Sequence, residues 1–259
     1  MEKNRNFVIE LNNQIMERYT KESVVSCYEA DANKYLRPTA MLDLMQEAAN
    51  VDATRLGFGF DNMIATNTAW VLSRLHMRVN KYPKWRETVK LSTWHKGAFK
   101  LFFLRDFCLK DTEGNSLIDA TTSWLIIDLN TRRLSRNAEL ADENTCIKED
   151  AISEPADKIT IPQGTEFEFA GTHKVTWSDI DTNNHVNNVK YVVWALDIVD
   201  YEDSSKKPLK ELFVNFDNEV LAGQEVELFK IRQESEEGLI YYVQGKVEGK
   251  QSFIIKLIF

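Results

Sequence analysis

The chain repeats its own order of elements, and this constrains its fold more than any single motif. In the first half, a short apolar segment (Ser23 to Ala30) runs into Asp31-Ala-Asn33. An amphipathic helix should follow, with Pro38 in its first turn and Gly57 at its C-terminal cap. Met41, Leu44, Met45, Ala48 and Leu56 recur near helical spacing and predict its buried face. Four strand-like runs come next, at Trp70 to Val79, Val89 to Trp94, Leu101 to Leu109 and Leu117 to Leu129. The turn Asp111-Thr-Glu-Gly114-Asn joins the last two as a hairpin. The second half follows the same plan. A strand from Phe167 to Trp177 leads to Asp181-Thr-Asn183, then to a helix carrying Val189, Val192, Val193, Leu196 and Val199. Four further strands are expected at Leu212 to Phe216, Glu225 to Arg232, Leu239 to Val247 and Phe253 to Phe259.

One helix followed by an antiparallel meander, occurring twice, predicts an α+β protein in which each helix packs on one face of a curved sheet. Leu101-Phe-Phe-Leu and Phe253-Ile-Ile are apolar on both faces, as expected if helix and partner sheet cover both sides. The span from Asn137 to Gln163 is charged, contains Pro155 and Pro162 and lacks periodicity. The reading is therefore an N-terminal domain over 1–145, a linker over 146–163 and a C-terminal domain over 164–259.

Composition excludes several classes. A net charge of −8 argues against nucleic acid as a partner. No phosphate-cradling glycine motif occurs among the ten glycines. The most apolar run, Phe253 to Phe259, is broken by Lys256 and too short to span a bilayer. Met1 to Asn13 resembles neither a signal nor a transit peptide, so a cytoplasmic location is the default expectation. Cys27, Cys108 and Cys146 have neither redox nor metal-site spacing and read as reduced thiols.

The two halves differ where chemistry could sit. Asp31-Ala-Asn33-Lys-Tyr35 aligns with Asp181-Thr-Asn183-Asn-His185. Aligning His76–Val89 with Phe213–Val226 sets Tyr82 opposite Glu219. The second half thus has His and Glu where the first has two tyrosines, the pattern of one active and one retired site. A competing reading makes Asp181 and Asn183 simple helix caps. A calcium loop through Asp179, Asp181 and Asn183 lacks its Gly and terminal Glu. A zinc site lacks a second His or Cys at ligand spacing. His76 and His95 read as structural or surface histidines.

The run Trp177-Ser-Asp-Ile-Asp181-Thr-Asn183-Asn-His185-Val-Asn-Asn-Val-Lys-Tyr191 resembles the active-site motif of acyl-ACP thioesterases. Trp70-Val-Leu-Ser-Arg74, Tyr82-Pro-Lys-Trp85, Arg105-Asp106 and Thr131-Arg-Arg-Leu-Ser135 are similar to that family's N-terminal domain. The resemblance covers roughly Cys27 to the C-terminus. It implies two tandem hotdog domains, hydrolysis of fatty acyl-ACP to end chain elongation, and neither metal nor organic cofactor. The implied partner is acyl carrier protein bearing a phosphopantetheine-linked acyl chain.

By the same resemblance Asp181, Asn183, His185 and Glu219 form the catalytic set, with Glu219 as base or nucleophile. Some members of the family carry Cys after this Glu; here Val220 stands there, which excludes a Cys nucleophile at that position. The first domain is expected to line the acyl chain, with Met41, Met45, Phe102 and Phe103 as candidates. Docking of an acidic carrier on an acidic protein requires a local basic patch, for which Lys96, Lys100, Arg132, Arg133 and Arg136 are candidates. An acyl-CoA thioesterase and a non-catalytic acyl-binding hotdog protein are the alternatives. Homodimerisation through exposed strand edges stays open.

Overall fold

The computed structural model describes residues 17–135 and 146–259. They form two compact units, one of residues 17–72 and 81–155, the other of Ser73–Asn80 and Ala156–Phe259. In chain order the first unit contributes β1 (Tyr19–Val24), α1 (Pro38–Arg55), α2 (Phe60–Ala65), the start of β2 (Thr68–Val79), β3 (Thr88–Phe99), β4 (Phe102–Lys110), β5 (Ser116–Asp128) and β6 (Leu134–Ser135). The second contributes the end of β2, then β7 (Glu168–Lys174), α3 (Asn188–Asp197), α4 (Tyr201–Lys206), β8 (Glu211–Phe216), β9 (Glu225–Ser235), β10 (Gly238–Val247) and β11 (Lys250–Ile258).

In the first unit the strands run β1-β3-β4-β5, all antiparallel, with β6 paired to β5. Helix α1 starts at Pro38, whose missing N–H costs nothing in a first turn. It ends in a Schellman arrangement: Phe58 N–H donates to Ala53 O and Gly57 N–H to Thr54 O, with Gly57 at φ +82°. Ala40, Met41, Leu42, Met45, Ala48, Ala49 and Asp52 form its buried face. Leu44 and Leu56 are only half-buried, so the true stripe lies one position round from the expected one. Asp52 accepts from the buried Arg105 of β4 at 2.6 Å and from Arg55 at 2.8 Å, tying helix to sheet by charge as well as by apolar packing.

The second unit orders its strands β2-β8-β11-β10-β9-β7. Helix α3 buries Val189, Tyr191, Val192, Trp194 and Ala195, and Tyr191 meets Phe253 of β11 edge-on at 5.1 Å. Gly245, paired with Phe253, leaves room for that ring: a Cβ there would sit 2.0 Å from it.

The segment read as a linker is built into both units. In the first, Ile147 N–H donates to His95 O, Trp94 Nε1 to Glu149 O, and Ala151 N–H to Asp106 Oδ2. Asp106 neighbours Arg105 on β4 and so faces away from the helix. In the second, Asn215 pins the segment by accepting from Ile159 N–H and donating to Asp157 O. Ile159 and Ile161 then pack on Ile231, Ile240, Tyr242 and Ile258. In the second unit, α3 covers one face at Phe253 and the linker residues Ile159 and Ile161 cover the cluster that includes Ile258. No helix among the described residues is long and apolar enough to cross a membrane.

Candidate active site

The loop from Asp181 to Asn187 folds around one carboxylate. Asp181 Oδ1 accepts from Asn183 N–H at 2.8 Å and from His185 N–H at 3.4 Å, and Asp181 Oδ2 lies 3.4 Å from Asn183 Nδ2. Backbone bonds close the turn, from Asp181 N–H to His185 O and from Asn184 N–H to Asp181 O, with Asn184 at φ +60°. Asn tolerates that left-handed conformation better than most residues. The helix cap is a different residue: Asn187 accepts from Val189 N–H at 2.9 Å. Asp181 and Asn183 therefore shape the loop rather than cap α3.

The loop is anchored at its C-terminal end. Asn187 N–H donates to Asp179 O, and Val186 N–H to Val220 O at 2.9 Å. The second contact carries the loop to the segment after β8 and brings His185 Nε2 to 3.6 Å from Glu219 Oε2. Both side chains are about one third exposed, so solvent and a ligand can reach the pair. Asp179 beneath the loop is buried and accepts from Thr176 N–H, Thr176 Oγ1 and His173 Nε2. Burial pushes its carboxyl upward, but these donors outweigh it and hold the group below the ordinary carboxylate value.

The first unit contains the same frame without the chemistry. Asp31 Oδ1 accepts from Asn33 N–H and Tyr35 N–H, Arg37 N–H donates to Glu29 O, and Leu36 N–H to Pro83 O. Lys84 N–H donates to Glu87 as Leu221 N–H does to Gln224. These correspondences put Pro83 opposite Val220, and hence Tyr82 opposite Glu219, the register read from sequence. Where the second unit pairs His185 with Glu219, the first packs Tyr35 edge-on against Tyr82 at 5.9 Å.

The remaining candidates are dispersed. Met41 and Met45 are buried on α1. Phe103 lies in a cluster with Met63, Ile126, Phe58, Trp70 and Trp124, and Phe102 beside it is half-buried. Lys96 is not a surface cation: its side chain is 9% exposed and bridges Asp106 at 3.1 Å and Asp150 at 2.5 Å. Lys100 lies exposed in the β3–β4 turn above Phe99, and Arg132 and Arg133 lie exposed beside the β5–β6 turn. Arg136 lies outside the described residues. His76 is structural, buried against Phe213 and bonded to Glu211. Sequence reasoning weighed His173 only as the nearest candidate for a second zinc ligand; its ring packs on Trp194 4.4 Å away while its Nε2 holds Asp179. Its position on a strand two residues before Val175 carried no signal of that partnership.

Residues 16–143 match the family model of the acyl-ACP thioesterase N-terminal domain, and residues 163–259 that of the C-terminal domain. Oleoyl-acyl carrier protein thioesterase 2 of Arabidopsis thaliana is 30% identical over 218 residues, which are 78% of this chain and 59% of that protein. The palmitoyl-acyl carrier protein thioesterase of the same plant is 30% identical over 207 residues, 75% of this chain and 50% of that protein. The chain thus spans between half and three fifths of these curated relatives. Among solved structures, an acyl-ACP thioesterase from Bacteroides thetaiotaomicron superposes with a TM-score of 0.83 at 26% identity, covering 96% of this chain and 99% of that one. A 12:0-ACP thioesterase from Umbellularia californica superposes at 0.82 and 23% identity, over 93% and 92% of the two chains. The fold is the α+β double hotdog.

Proposed function

We infer that this chain, which belongs to the acyl-ACP thioesterase family, hydrolyses the thioester of fatty acyl-ACP to free fatty acid and holo-ACP. The observation that carries the reading is the second unit's His185–Glu219 pair at 3.6 Å, on a frame whose other copy holds two tyrosines. Thioester hydrolysis needs an activated water or a carboxylate nucleophile, and donors for the developing oxyanion. In this reading Glu219 is the base or nucleophile, and His185 polarises the carbonyl or carries the proton to the leaving thiolate. Asn183, exposed at the loop tip, orients the reactants or donates to the oxyanion. The hydrogen bonds of Asp181 within its loop support a positioning role for that residue. The N-terminus of α3 directly after the loop adds positive potential near the carbonyl oxygen.

The acyl chain is assigned to apolar residues of the first unit, among them Met41, Met45, Phe102 and Phe103. The carrier's acidic surface is assigned to Lys100, Arg132 and Arg133. The test is thiol release from a panel of acyl-ACPs and matching acyl-CoAs by the wild type and by His185→Ala. Fast release from acyl-ACP, lost in the variant, is the expected result. Release confined to CoA esters would move the protein to another class of thioesterase, and silence on both would leave an acyl-binding scaffold.

A further inference from the structure

Among the backbone contacts that hold the segment bearing Glu219, two fall on Val220, and the first unit retains the counterpart of only one of these two. The shared contact is Val186 N–H to Val220 O, matched by Leu36 N–H to Pro83 O. The extra one runs from Val220 N–H to the hydroxyl oxygen of Tyr191, 3.2 Å away on the first turn of α3. Helices α1 and α3 begin at matching positions, Pro38 and Asn188, after caps bonded alike to Glu29 O and Asp179 O. Tyr191 therefore corresponds to Met41, as Val220 does to Pro83. Both partners have gone together in the first unit: proline has no N–H to donate and methionine no hydroxyl to receive it.

A contact missing from both sides in the copy that lacks His and Glu, and present on both sides in the copy that has them, follows the chemistry rather than the fold. Each unit folds around its own version, so the bond is not required to build the frame. Tyr191 and Val220 are both buried, so no water replaces a lost partner, and an unpaired Val220 N–H would shift to find one. Glu219 is covalently adjacent and would move with it. We propose that Tyr191 is a positioning residue for Glu219, fixing the reacting carboxylate opposite His185 by holding the N–H of Val220. The proposal rests on the reading of Glu219 as the reacting carboxylate. Burial first, and then the nearby charges of Glu219 and Asp181, raise the phenol's pKa and keep it protonated, outweighing the opposing pull of the Val220 N–H. The hydroxyl therefore stays a neutral acceptor through the working pH range.

The experiment is a double-mutant cycle in steady-state thiol release from acyl-ACP, using Tyr191→Phe, Val220→Pro and their combination, with Glu219→Gln alongside. Pro83 occupies the matching backbone position in the first unit, so proline fits the geometry at 220. Tyr191→Phe should lower kcat roughly 10-fold with KM little changed, since a misplacement of about 1 Å can cost on the order of 100-fold. The double variant should be no worse than Val220→Pro alone, because each change removes the same bond. Faster hydrogen exchange of the Val220 amide in Tyr191→Phe supplies a readout independent of whether Val220→Pro folds. Normal kcat in Tyr191→Phe beside an inactive Glu219→Gln overturns the positioning role and leaves the site reading intact. Losses that multiply in the double variant, or an unchanged Val220 amide, overturn it as well. An active Glu219→Gln overturns the site reading and the proposal together.

Discussion

Asp181 separates a loop-building carboxylate from an acid–base one, and the two roles respond differently to a one-atom change. Its Oδ1 accepts one good hydrogen bond, from Asn183 N–H at 2.8 Å, and one long one, from His185 N–H at 3.4 Å. Hydrogen bonds to a charged acceptor contribute about 1.5–3 kcal/mol when buried. In this half-exposed loop the pair should contribute near the lower end, about 1.5 kcal/mol. Asp181→Ala removes both, and a His185 displaced by about 1 Å would lose on the order of 100-fold in kcat. Asp181→Asn retains an amide oxygen at the same position, so kcat should stay within about 5-fold of wild type, a barrier change near 1 kcal/mol. Asp31 accepts the matching pair of bonds in the first unit, and Asp31→Ala should lower thermal stability while leaving kcat unchanged. Thiol release and thermal unfolding on the four proteins read these effects. An Asp181→Asn variant as inactive as Asp181→Ala, at native stability, would refute the reasoning and make the carboxylate a chemical participant.

Three further perturbations have defined signs. Asp52→Ala strands the buried Arg105 guanidinium and should cost about 3–5 kcal/mol in urea unfolding. The pair Asp52→Leu with Arg105→Met should recover most of that loss, and a pair no better than the single variant would contradict the ion-pair account. Asp179 titrates below its unfolded value, so its stabilisation is fully present above about pH 3.9 and fades as pH falls through the lower folded value. The stability gap between wild type and Asp179→Asn should therefore narrow on acidification below pH 4, and a constant gap would count against it. Charge reversal at Arg132 and Arg133 should raise KM for acyl-ACP and flatten its salt dependence, with kcat unchanged. An unaltered KM would remove that patch from the docking surface.

The features legible in the sequence were those with a local period or a repeat. Strand-like runs located β2 through β5 and β8 through β11, with β3 continuing five residues past its expected end at Trp94 to Phe99, and Gly57 marked the end of α1. Offsets between the two halves set Tyr82 against Glu219 before any distance was known, because the frame around them is built twice. Features that depend on one polar group meeting another across the fold were hidden. Lys96 reads as a surface lysine until Asp106 and Asp150 close on it. His173 gains its partner through the turn at Trp177–Asp179. Tyr191 enters the sequence reading only as the end of the motif that begins at Trp177, and the meaning of its hydroxyl emerges only beside the missing N–H of Pro83. The linker lacked periodicity because its residues bond singly to strands of each unit instead of forming an element of their own.

The most direct test of the account is single-turnover hydrolysis of acyl-ACP by the wild type, Glu219→Gln and Tyr82→Phe. The account predicts that Glu219→Gln loses on the order of 100-fold or more, while Tyr82→Phe, altered at the corresponding place in the other unit, keeps the wild-type rate. A near-normal rate in a well-folded Glu219→Gln, or a comparable loss in Tyr82→Phe, would contradict it.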